Sequence, residues 1–273
     1  MSFGAYPRNV GSMAPLLIHR YRSEAANTPV NAYLVEGVDG VVAVDATLTV
    51  SGGRGLRAHA DALGKPLLGV VLTHAHPDHY GGLVALLDGR ALPVFATASV
   101  SEVIRRDDPV KEQILRPMFG AEWAPQRAFP TEVVADGETV ELGDIALTVT
   151  DLGPSESPAD SLWALATDPR RVFSADLAYD RTHCYLADGF AAEWLANLSR
   201  LRAELPPGTT LHPGHGEPGG LEMLDWQEAY IETMLRAIRT PGVDVAATMR
   251  SYLPSETLAF LMELSVAPLA AAA

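Results

Sequence analysis

A chain of 273 residues, 48% apolar and 20% charged, is globular in composition and long enough to bury a large core. Its formal net charge of −14 leaves no cationic surplus to neutralise a nucleic-acid backbone, and no run approaches the roughly 18 apolar residues of a membrane span, so neither partner is expected. Cys184 stands alone, which excludes an intramolecular disulfide, and the opening MSFGAYPRNVGSMAPLLIHR has no basic region followed by a sustained apolar one, so the expected compartment is cytoplasmic.

Residues 16–21 read as an opening strand, followed by strands at 31–37 and 41–47 that form a hairpin around Asp39–Gly40. Residues 50–53 look like a turn and 55–64 like a helix ended by Gly64. Pro66 then opens LLGVVLT, a fully apolar strand suited to burial on both faces. A helix at 81–89 and a strand at 92–97 complete the start of a layered α/β fold. A helix over 99–117, stopped by Pro117, leads into a loop-rich stretch whose Phe119, Trp123 and Phe129 are expected to pack inward. The β pattern returns at 133, with turns at Asp136–Gly137 and Gly143–Asp144 and a strand pair, 161–167 and 171–176, around Asp168–Pro169. A helix at 191–205 ends at Pro206–Pro207–Gly208, and residues 210–216 run from a strand into a glycine-rich loop. Helices at 221–239 and 255–266 close the chain, with Trp226, Tyr230 and Met234 on a core-facing stripe. No linker or solenoid repeat interrupts this order, so a single domain over 1–273 is expected, with a helical C-terminal segment at about 221–266.

Residues 70–82, VVLTHAHPDHYGG, hold three of the eight histidines. His74 and His76 alternate at a strand end and so point to one side, while Pro77 turns Asp78 and His79 away from the strand. A loop at the C-terminal edge of a strand can aim such groups into one crevice, and a mixed imidazole and carboxylate set suits Zn²⁺, Mn²⁺ or Fe²⁺ in a catalytic site with open positions.

HAHPDH matches the HxHxDH signature of the metallo-β-lactamase-fold superfamily, which includes β-lactamases, lactonases and glutathione thioesterases. The resemblance spans roughly residues 16–239 and takes in Asp45 of VVAVDAT. It implies an α/β fold, a four-layer αββα sandwich of two mixed sheets flanked by helices, with a metal pair at one edge. It assigns His74 and His76 to a first metal, Asp78 and His79 to a second, Asp176 of FSADLAYD to the bridge, and His215 of PGHG to the second metal. The chain departs from the pattern at the third histidine: the matching loop reads DLGPSESPADS and puts Glu156 there. Glu156 ligates in one reading, Asp160 in another, and in a third the first site is weakened or empty. Two divalent ions are expected, Zn²⁺ first; an added carboxylate hardens the donor set and so makes Mn²⁺ or Fe²⁺ the alternatives.

The resemblance implies hydrolysis of a small ester, lactone, thioester or cyclic amide by water activated between the metals, with Asp78 orienting that water and passing a proton. The alternatives are a mononuclear iron oxygenase of the same fold and a non-catalytic metal- or ligand-binding protein. A small-molecule substrate is the expected partner, a homo-oligomer is compatible with the sequence, and Tyr179, His183 and Tyr185 are candidates to line the pocket. Cys184 reads as packing.

Overall fold

The computed structural model describes residues 15–167 and 170–272; the turn expected at Asp168–Pro169 lies outside them. The first sheet has six strands in sequence order: β1 (Leu17–Ser23), β2 (Val30–Glu36), β3 (Val41–Val44), β4 (Leu67–Val71), β5 (Val94–Thr97) and β6 (Glu132–Val134). Its first two pairings are antiparallel and its last three parallel. The second sheet comprises β7 (Thr139–Leu142), β8 (Ile145–Gly153), β9 (Asp160–Leu165), β10 (Arg171–Ala175) and β11 (Thr210–Pro213), all antiparallel except the β10–β11 pair.

The layers follow from the two-residue period of a strand. In β2, Tyr33 and Val35 face the second sheet while Ala32 and Leu34 face helices; in β3, Val42 and Val44 face inward while Val41 and Ala43 face out. In β9, Trp163 and Leu165 meet them from the other side, and Leu162 and Ala164 turn to the opposite helical layer. One apolar core therefore lies between the sheets. A second joins the first sheet to α1 (Val50–Ala62), α3 (Leu83–Leu87) and α4 (Ala98–Phe119). A third joins the second sheet to α5 (Ala191–Glu204), α6 (Glu222–Arg239), α7 (Val245–Tyr252) and α8 (Ala259–Ala272). The expected αββα order is present. Tyr230 and Met234 are fully buried in the third core, and Trp123 in the second.

Several element boundaries differ from expectation for physical reasons. The expected turn at 50–53 is the first turn of α1: the Thr49 hydroxyl accepts the Gly52 N–H at 3.0 Å and caps the helix. Its glycines serve packing, since a β-carbon on Gly53 would stand 2.1 Å from the Gly82 carbonyl oxygen. The helix expected at 81–89 is α3, which begins after Gly81–Gly82, and an additional short helix, α2 (Pro77–Tyr80), precedes those glycines. Pro117 does not stop α4, which holds both Pro109 and Pro117, runs to Phe119 and is capped by Gly120 at φ 55. α7 was not expected. No helix among the described residues is long and apolar enough to cross a membrane.

Candidate metal centre

The seven candidate ligands come from four chain segments at one rim shared by both sheets. Beyond β4, Leu72 still donates to the Phe95 carbonyl of β5, and residues 73–76 then leave the first sheet but stay pinned to the second. Trp163 Nε1 donates to the Leu72 carbonyl at 2.9 Å, Ser161 N and Oγ donate to the Thr73 carbonyl, and His74 bridges Asp160. Pro77, at the first helical position, starts α2 and swings Asp78 and His79 back over the rim. Glu156 lies in the loop between β8 and β9, Asp176 directly follows β10 after Ala175 at φ 41, and His215 follows β11. Gly214 is required here, since a β-carbon would stand 2.0 Å from Asp176 Oδ1.

These segments make two adjacent donor groups: Asp78, His79, Asp176 and His215 in one, and His74, His76 and Glu156 in the other, with donor atoms in each within 4.8 Å of one another. In the first, His215 Nε2 lies 3.1 Å from Asp176 Oδ2 and 3.3 Å from Asp78 Oδ2, and His79 Nε2 lies 3.4 Å from Asp176 Oδ1. In the second, Glu156 Oε2 is 2.7 Å from His76 Nδ1 and 3.7 Å from His74 Nε2. The Tyr179 hydroxyl spans the groups, donating to Asp176 Oδ2 at 2.8 Å and approaching Glu156 Oε1 at 3.2 Å. Its ring stacks on His215 at 5.0 Å between centroids.

The donor set fits divalent cations. His74, His79 and His215 each leave a buried Nε2 without a hydrogen bond, and Glu156 Oε2 and Asp176 Oδ1 make none either, their charged neighbours standing outside hydrogen-bond geometry. Five such atoms converging on one crevice would be costly in a protein that bound nothing there. Their opposite faces are anchored, as ligating imidazoles require. His79 Nδ1 meets Asp45 Oδ2 at 2.8 Å, His215 Nδ1 meets the Pro29 carbonyl at 2.6 Å, and His74 Nδ1 meets Thr73 Oγ1 at 3.0 Å. Asp45 also accepts from Thr73 N and Oγ1, which tethers the loop to the end of β3.

The electrostatics are those of a buried, mutually compensating set. Burial opposes charge on His215, but Asp176 and Asp78 raise its pKa to about 10. Burial likewise works against a charged His79, and Asp176, Asp45 and Asp78 outweigh it, holding the pKa well above the ordinary range. His74 is pushed well down by burial and by His79. Burial lifts the Glu156 carboxyl to about 7 despite His76.

Asp160, the competing ligand, lies outside both groups: its Oδ2 accepts from Ser157 N at 2.8 Å and Ser157 Oγ at 3.1 Å, and so shapes the turn that carries Glu156. Tyr179 and Tyr185 line the adjoining cavity, but His183 turns away and pairs through Nδ1 with the Tyr230 hydroxyl at 2.8 Å. Cys184 is buried against Gln227. Sequence reasoning missed Asp188, whose Oδ2 sits 3.0 Å from His76 Nε2. No motif marks it, because it reaches His76 from a loop 112 residues away.

The model of the metallo-β-lactamase superfamily matches residues 26–215, which include every candidate ligand. The acyl-coenzyme A thioesterase MBLAC2 of Homo sapiens is 30% identical over 183 residues, 61% of this chain and 62% of that protein, so the matched region spans less than two thirds of that relative. The Bos taurus protein of the same name is 29% identical over 71% of this chain and 75% of its own length. A hydroxyacylglutathione hydrolase of Methylobacillus flagellatus is 27% identical over 57% of this chain and 51% of its own. These named relatives are hydrolases. Among solved structures, a beta-lactamase domain protein from Burkholderia ambifaria superposes with a TM-score of 0.68 at 18% identity, covering 96% of this chain and 90% of that one. With a family model running across both sheets and the whole donor set, on a chain that takes the matching architecture, this protein belongs to the metallo-β-lactamase superfamily.

Proposed function

We propose that the protein is a dinuclear metal-dependent hydrolase acting on a small ester, lactone, thioester or cyclic amide. The observation that carries this reading is the pair of donor groups, four residues beside three, with their unpaired nitrogens and oxygens aimed into one crevice. In it, His74, His76 and Glu156 would hold one cation, and Asp78, His79, Asp176 and His215 would hold the other. Two bound divalent cations would supply an acidified water and an electrophile for the carbonyl oxygen.

The protein's own groups divide the remaining work. The Asp78 side chain is 16% exposed and lines the cavity, whereas His79, Asp176 and His215 are at most 2% exposed. Asp78 is therefore the carboxylate that can reach both an attacking water and a leaving group, orienting the first and handing its proton to the second. Tyr179 spends its hydroxyl on Asp176 and Glu156, so it braces the carboxylates and does not contact substrate through oxygen. The completeness of the four-residue group speaks against a single-iron oxygenase, and the relatives named above are hydrolases.

Metal analysis of protein purified without added zinc, paired with a panel of lactone, thioester, ester and cyclic amide substrates, tests the reading. Two equivalents of metal and hydrolysis in at least one class are expected. His76→Ala should lower both, and Asp78→Asn should reduce turnover by roughly 10²–10⁴-fold. Full metal loading with no hydrolysis across the panel, or a His76→Ala protein unchanged in both, would sink it.

A further inference from the structure

The cavity above the metal centre has an uneven chemistry that names a narrower class of substrate. It holds about 350 Å³, and His76, Asp78, Glu156 and Asp176 form its polar floor. Its walls are mainly hydrocarbon: Ile114, Leu115 and Met118 of α4 on one side, Phe260, Leu261 and Leu264 of α8 on the other, with Lys111 of α4 the one cation among the lining residues. On α4 these residues recur at helical spacing, so a single stripe of that helix faces the cavity.

Leu115 and Leu261 also pack against the cores beneath, but folding does not account for the other four. Ile114 is 52% exposed, Met118 65%, Phe260 43% and Leu264 58%, although the three cores beneath are closed. Large apolar side chains gathered at a cavity mouth mark a surface that gains by being covered. Because the groove's inner end is the donor cluster itself, whatever fills it is brought end-on to the reacting atoms. A hydrocarbon tail with a carbonyl at its inner end matches both the walls and the floor.

We propose that the groove between α4 and α8 binds the aliphatic chain of an acyl ester or acyl thioester and sets chain-length specificity. This rests on the hydrolytic reading of the same site. Its test has two independent arms on the full-length protein. In the first, kcat/KM is measured for a series of straight-chain acyl thioesters and nitrophenyl esters from acetyl to decanoyl. Values should rise by about fourfold per methylene until the groove is full, the factor that corresponds to ~0.8 kcal/mol per buried CH₂. Met118→Asp, which charges an exposed part of the wall, should lower the decanoyl-to-butyryl ratio by at least tenfold, and Leu261→Trp, which narrows the groove, should move the optimum to shorter chains. In the second, calorimetry compares 1-octanol with 1-butanol, neutral probes that need no hydrolysis. Octanol alone should bind measurably, and Met118→Asp should weaken it.

Hydrolysis without chain-length dependence and without octanol binding overturns the proposal and leaves the hydrolase intact. Octanol binding that Met118→Asp weakens, with no hydrolysis at any length, supports the apolar groove while the hydrolytic reading fails. A dimer in sedimentation that Met118→Asp dissociates, coupled with no octanol binding, assigns the groove to a second copy and overturns the proposal.

Discussion

Asp188 shows how much a candidate ligand depends on what stands behind it. His76 presents Nδ1 to Glu156 and Nε2 to Asp188, so the distant carboxylate fixes both the ring's orientation and its tautomer. Asp188→Asn should keep the fold and cost roughly 10–100-fold in metal affinity, measured by chelator competition. Glu156 tests the departure from the three-histidine pattern. Glu156→Ala should lose about one equivalent of metal, whereas Glu156→His, by softening the donor set, should raise the preference for zinc over manganese in competition dialysis. Equal metal content in Glu156→Ala and the parent would remove Glu156 from the ligand set.

At the scale of elements, what the sequence disclosed depended on whether the determining contacts were local. HAHPDH was legible because four donors lie within six residues, and the strands were legible because Tyr33, Val35, Val42 and Val44 alternate with equally apolar neighbours. Glu156 was placed only through the register of the family's loops. The start of α1 was misread because Gly52 and Gly53 mimic a turn, while the reasons for glycine there are tertiary: the Thr47 and Ser23 hydroxyls crowd Gly52, and the Gly82 backbone at the start of α3 crowds Gly53. α7 escaped because DVAATMRSY has too short an apolar stripe to stand out. Gly53→Ala therefore should destabilise the protein despite the better helix propensity of alanine, because the α1–α3 contact must open. Thermal unfolding of this variant beside Gly64→Ala checks the mechanism. At Gly64, φ is 70 with open space around it, so only backbone strain is introduced, and Gly53→Ala should be the worse of the two.

The whole molecule carries two distinct responses to acid. His212 is buried between Tyr33 and Phe173 with neither ring nitrogen hydrogen-bonded, and burial, reinforced by Arg171, lowers its pKa to about 4. The unfolded chain thus takes up this proton first as pH falls. Stability from the neutral ring is fully present above about 6.5 and falls by up to about 3 kcal/mol as pH drops towards 4. His212→Leu should flatten that dependence in denaturant titrations between pH 7 and 4. Metal loading responds in another way, because a cation can occupy His215 Nε2 only after its proton, held up to a pKa of about 10, has left. Loading at pH 7 should therefore release protons and tighten as pH rises, and calorimetry in buffers of different ionisation enthalpy reads the number directly.

The ties between β2 and the loop after β11 have a consequence for synthesis. Asn31 and Tyr33 donate to the Pro213 carbonyl, and Asn31 N donates to the Gly214 carbonyl, so the loop that carries His215 is set by a strand made near the beginning of the chain. A growing polypeptide exposes HAHPDH long before Asp176, Gly214 and His215 exist to complete it. Half-made chains in the cell would thus hold histidines without a finished cage, and tight metal capture would wait until the last strand docks. The donor set is thus complete only once His215 has been made, with α6, α7 and α8 still to follow.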